Sequence, residues 1–129
     1  MNVARTYART QNETASKERL MVLLFEAGLR HMRAGATAFA AGKRADAVKS
    51  IGKASDIVQE LLATLKPEVF PELCDRLAAI YIFVLGRLDR ALLTLTAKPA
   101  EEAARAFEPI VTGFAEAVGK LERGEAARP

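Results

Sequence analysis

The sequence predicts an all-α fold: an elongated antiparallel four-helix bundle behind an extended N-terminal arm. Three observations predict it. Alanine is the commonest residue, 25 of 129, and it is the best helix former and a poor strand former. Apolar residues recur at alternating spacings of four and three in successive segments, the period of a helix with one buried face. The links between those segments are short and carry Gly or Pro, which favours antiparallel neighbours. A chain of 14.0 kDa, half apolar and 27% charged, has the size of one domain and enough apolar residues for a core.

Residues 1–15 read as an arm. They are polar, lack periodicity and hold one isolated aromatic, Tyr7. The first helix is expected from Ser16 to about Ala41. A serine hydroxyl can accept an orphan backbone N–H, and Glu18 places negative charge in the first turn. Thr14 is a rival cap, and Gly42 is the stop signal. Leu20, Leu24, Ala27, His31 and Ala38 are expected to line one side, with Leu23, Phe25, Met32 and Phe39 broadening it. Gly28 and Gly35 lower helix propensity and permit close helix contact.

The second helix is expected over Arg44–Leu65, on a stripe of Ala47, Ile51, Ala54, Val58, Leu61 and Leu65. Pro67 and Pro71 bracket a connector, since proline lacks the N–H that a helix interior needs. The third helix, from Glu72 to about Thr96, carries Leu77, Ile80, Val84, Leu88 and Ala91, with Leu73 and Leu95 at its ends. Tyr81, Phe83, Leu85, Leu92 and Leu93 make it apolar around much of its circumference. Such a helix should be central, or should offer a face to something else. The fourth, from Ala100 to about Arg123, follows Pro99, with Phe107, Val111, Phe114, Val118 and Leu121 in step. Pro109 within it predicts a kink or a later helix start. The expected division is 1–15 arm, 16–123 bundle and 124–129 flexible tail. Helices of this size are roughly 33 to 39 Å long.

Charge excludes less than composition does. Nineteen basic against sixteen acidic residues leave +3, with the acidic residues spread along the chain. That does not indicate a nucleic-acid face. The single cysteine, Cys74, cannot form an internal disulfide, which fits a reducing compartment. The N-terminus lacks the apolar core of a secretory signal, and no apolar run approaches the length of a membrane span.

Catalytic parts are few. His31 is the only histidine, and Glu26 stands five residues before it, so the Glu-x-x-His pairs of a di-metal bundle are missing. Zinc needs several His or Cys ligands. His31 therefore reads as a satisfied or surface histidine, and Cys74 as a buried or incidental thiol. Glu26 is spaced to pair with Arg30, either as a solvated surface pair or as a packing contact. No enzyme, metal or cofactor is expected. The apolar excess of the second and third helices points elsewhere. It suits a homodimer, a crowded core, or a groove that receives an amphipathic helix from another protein. Tyr7 on its polar arm either stays in water or docks over such a groove.

At these residues the chain resembles the flagellar secretion chaperone family, FliS. The family pattern runs from a Tyr through a polar spacer to Thr-Ala-Ser-Pro, then to a run like Leu-x-x-Met-Leu-Tyr-Asp-Gly. Here Tyr7 is followed by Thr14-Ala15-Ser16, then Leu20, Leu23, Leu24, Phe25 and Glu26. Lys53-Ala54-Ser55-Asp56-Ile57-Val58-Gln59-Glu60-Leu61 resembles the family's Lys-Ala-x-x-Ile-Ile-x-Glu-Leu, and Ile80-Tyr81-Ile82-Phe83 its Leu-Tyr-x-Tyr. The motifs span Tyr7 to Ala91. Lys17, Phe25 and Glu26 depart from the usual proline, tyrosine and aspartate, and the family's C-terminal tryptophan is missing.

The resemblance implies a cytoplasmic export chaperone. It would bind the C-terminal helical segment of flagellin, prevent early polymerisation and present the client to the flagellar export machinery. Neither nucleic acid nor membrane insertion is implied. The resemblance and the apolar excess together nominate Tyr7 on the arm, Ile57, Leu61 and Leu65 on the second helix, and Tyr81, Leu85 and Leu92 on the third as partner contacts. The competing reading is a homodimeric structural or adaptor bundle.

Overall fold

The computed structural model describes residues 16–125. Among them the secondary structure is helical throughout. Helix α1 spans Lys17–Ala40, α2 Arg44–Ala63, α3 Pro71–Thr94 and α4 Ala97–Glu122. Tyr7 and the rival cap Thr14 lie outside the described residues.

The ends of the helices follow from local chemistry. The Ser16 hydroxyl accepts the Arg19 N–H at 3.0 Å, as a capping serine should. Gly42 turns left-handed after α1, with φ of +74°. Its N–H reaches the Phe39 carbonyl, and the Lys43 N–H reaches that of Ala38. This is the paired closure that a C-terminal glycine permits. Gly124 ends α4 in the same way, with the Glu125 N–H on the Lys120 carbonyl.

Three expected boundaries move. Leu65 lies past the end of α2, whose cap is Thr64. Helix α4 begins at Ala97, so Pro99 sits in its first turn, where an N–H has no helical partner to lose. The helix then continues through Pro109, so no new helix starts there. Leu95, expected on the α3 stripe, instead caps that helix in the left-handed region, with φ of 54°.

The pairing of neighbours is antiparallel. Arg19 bonds Glu122 and Arg33 bonds Glu108; fourteen residues forward on α1 match fourteen backward on α4. Arg87 meets Glu102 across the two-residue link between α3 and α4. Each helix packs against two neighbours: α1 and α3 each contact α2 and α4. Gly28 and Gly35 bring α1 against α2, as the sequence suggested. A Cβ at Gly28 would stand 3.1 Å from Ile57 Cγ2, and one at Gly35 2.7 Å from Ile51 Cγ1.

The core centres on Phe107, which is fully buried. Its ring lies 5.8 Å from that of Phe25 and 6.4 Å from that of Tyr81. Helix α1 supplies the core through Phe25, Gly28, Met32, Gly35 and Phe39. Of the expected stripe, Leu24 and Ala27 are buried in the core, while Leu20, His31 and Ala38 are half-buried. The core face of α1 is wider than that stripe and takes in Phe25, Met32 and Phe39 beside it. Helix α3 is not central. It buries only Cys74, Tyr81, Val84, Leu88 and Ala91, while Leu73, Ile82, Phe83 and Leu93 face outward. Of its surplus apolar residues, Phe83 and Leu93 are surface, Leu85 and Leu92 are half-buried, and Tyr81 is buried.

Candidate functional site

The start of α1, the end of α2, the start of α3 and the second half of α4 meet at one end of the bundle. Between them lies a groove of about 680 Å³. Its floor is built from buried side chains of three helices: Phe25 on α1, Leu61 on α2, and Cys74 and Tyr81 on α3. Phe114 of α4 continues the aromatic cluster into the groove, its ring 5.1 Å from that of Phe25.

The rim comes from the connector and the first turn of α3. Val69, Phe70 and Leu73 line the groove and are all more than half exposed. Pro71 occupies the first position of α3, and Phe70 is its cap residue, whose carbonyl accepts the Cys74 N–H at 2.9 Å. This closure holds Phe70 at the rim.

The α4 wall is built from small residues. Pro109, Gly113 and Ala117 recur every four residues and all line the groove, so they share one face. A Cβ added at Gly113 would meet nothing within 4 Å. A wall without long side chains lets a second helix approach closely. Among the described lining residues Lys66 alone carries a charge.

The nominated contacts fall into separate places. Leu61, Leu65 and Tyr81 line the groove. Ile57 is in the core at 1% exposure, facing Gly28. Leu85 and Leu92 are half-buried against the core farther along α3, outside the groove. Tyr7 lies outside the described residues. Sequence reasoning missed Val69, Phe70 and the Pro109–Gly113–Ala117 wall. The connector read only as a break, and Pro109 only as a kink or a later helix start. The four-residue recurrence of small residues was the available signal.

The remaining titratable candidates are scattered. His31 is half-buried, and desolvation first, then Arg30 and Lys53, hold its pKa below the usual 6.5. Glu26 and Arg30 are exposed and form no ion pair with each other. Among the described residues no three His, Cys, Asp or Glu side chains gather as a metal site. No helix there is long and apolar enough to cross a membrane.

The sequence model of the family described as flagellar protein FliS matches residues 1–121. The chain belongs to the FliS family. The match extends beyond the Tyr7–Ala91 span of the motifs and takes in nearly all of α4. No curated protein matches the chain. FliS membership points to a flagellar chaperone role with a flagellin-related partner, and it gives the apolar groove a context that geometry alone does not.

Proposed function

We propose that this FliS-family protein is a cytoplasmic export chaperone that takes the C-terminal segment of flagellin into the groove. There it keeps the segment from polymerising before presentation to the export machinery. The observation that carries this reading is the open apolar groove, lined by Phe25, Leu61, Phe70, Leu73 and Phe114 with Lys66 as the one charge among its described lining. A client segment that folds on binding loses conformational entropy at that moment. Burial of apolar area is what offsets this loss. An amphipathic helix fits such a groove with anchors spaced three and four residues apart, and the small-residue wall of α4 allows its backbone to come near.

Leu61, Leu65 and Tyr81 are the proposed contacts within the groove, and Leu85 and Leu92 would extend them along α3. Helix α1 starts at the groove end, so the residues before Ser16 join the bundle there. Tyr7 is the proposed anchor of that arm over the groove until a client displaces it.

Calorimetric titration with the C-terminal segment of flagellin from the same organism tests the reading. One-to-one, sub-micromolar binding with a negative heat-capacity change is expected. No heat at several temperatures, with no change in sedimentation, would sink it.

Ile82 and Leu93 favour a second reading. They lie on the outer surface of α3, outside the groove, and Leu93 is 77% exposed. A homodimer would cover them. Sedimentation across a concentration series separates the two: a concentration-dependent dimer that I82E abolishes would support self-association.

A further inference from the structure

Tyr81 is only 2% exposed, yet it lines the groove. Its hydroxyl makes no hydrogen bond to any described residue. Among the described residues no sealed-off side-chain oxygen lacks a partner. Oη has no partner among the described residues, and the Tyr81 side chain lines the groove. Burial, and secondarily the neighbouring Cys74, push its pKa up to about 12. At neutral pH it is a phenol with a proton to donate.

The surroundings offer little to take that proton. Phe25, Leu61, Leu77 and Phe114 contribute only carbon to the groove, and Cys74 carries a thiol, a weak acceptor. The Thr64 hydroxyl, which also lines the groove, donates to the Leu61 carbonyl and makes no bond to Tyr81. In the open groove water can serve Oη. An occupant that closes the groove removes the water. An entirely apolar occupant would leave a buried hydroxyl unsatisfied, which weakens binding by roughly tenfold.

We propose that Tyr81 is the polar specificity point of the groove: its hydroxyl donates a hydrogen bond to a carbonyl or hydroxyl oxygen of a polar side chain carried within the client's apolar face. Phe107 and the helix itself fix the phenol in place, so the client's polar residue has to come to Oη. A helical client with the right apolar spacing but no acceptor at that point is discriminated against. The inference rests on the groove being the site that receives the flagellin segment.

The test is a double-mutant cycle. The full chain and its Tyr81→Phe variant are titrated with the C-terminal flagellin segment. Both are then titrated with segment variants in which each polar residue of its apolar face is replaced by Ala. Tyr81→Phe is expected to weaken binding by roughly two- to tenfold and to leave the unfolding midpoint of the free protein unchanged. One client substitution should weaken the unsubstituted protein and leave Tyr81→Phe unaffected. Equal or tighter binding by Tyr81→Phe, additive losses at every client position, or a lowered midpoint of the free variant would each overturn the inference. Failure of the unsubstituted protein to bind overturns the flagellin reading, and this inference with it. If the unsubstituted protein binds and Tyr81→Phe binds equally well or shows only additive losses, this inference alone is overturned.

Discussion

Gly35 of α1 lies so close to Ile51 of α2 that no side chain fits between them. A Cβ at Gly35 would stand 2.7 Å from Ile51 Cγ1 and nearer still to its Cδ1. Ile51 is fully buried, so it cannot swing into water. Alanine is the better helix former by about 1 kcal/mol, but the overpacking opposes it with about 1–3 kcal/mol. Gly35→Ala is therefore expected to lower the urea midpoint. A midpoint that rises would show that α1 and α2 have slack at this crossing.

Gly113 is the opposite case. Its Cα faces open space in the groove wall. Gly113→Ala should stabilise the free protein by up to about 1 kcal/mol, because only the helix-propensity difference acts. Gly113→Leu should also fold, since its added carbons project toward the groove. It should abolish client binding by occupying that space. Denaturation and calorimetry on the same two variants check both halves. Retained binding by Gly113→Leu would place the client elsewhere.

These glycines mark where the sequence was legible and where it was not. Ser16 acts through its own hydroxyl, and Gly42 and the two connector prolines through their own backbones, so their positions alone located three helix ends. The α2 stripe through Ile51, Ala54, Val58 and Leu61 is a narrow band, and all four are buried. Helix α1 has apolar residues around most of its girth, so the expected stripe is only part of its core face: Leu24 and Ala27 are buried, and so are Phe25, Met32 and Phe39 beside them. The two α1 and α4 glycines look identical in one dimension: both lower propensity, yet one is pinned against Ile51 and the other is open. Leu61 and Tyr81 were nominated for the groove and line it. Phe70 was missed because its exposure depends on how the connector folds across the end of the bundle.

Phe70 separates binding from folding. It is 63% exposed at the groove rim, and its N-terminal capping role uses only its backbone carbonyl. Phe70→Asp should not destabilise the fold and should raise its stability by about 1 kcal/mol, because aspartate is a preferred N-cap and Phe70 supplies no side-chain cap to α3. It should weaken client binding by about tenfold or more, because an aromatic anchor is lost and a charge is placed in an apolar contact. Unaltered affinity would remove the connector from the interface.

Acid should destabilise the fold in two separate windows. His31 has its pKa held below 6.5 by desolvation, Arg30 and Lys53. The unfolded chain then takes up a proton that the folded chain refuses, so His31's contribution is complete above 6.5 and is lost as pH falls through the lower folded value. Glu122 has its pKa held below 4.5, first by the Arg19 hydrogen bond. Its contribution is complete above 4.5 and is lost as pH falls through its own folded value. Both effects make stability rise with pH. Urea midpoints measured from about pH 7.5 down to about pH 3 resolve them, since the windows start at the two unfolded values. His31→Gln should flatten the upper window and leave the lower. Glu122→Gln should do the reverse, with the smaller change because its ion pair is solvent-exposed. An upper-window slope that survives His31→Gln would show that another group carries it.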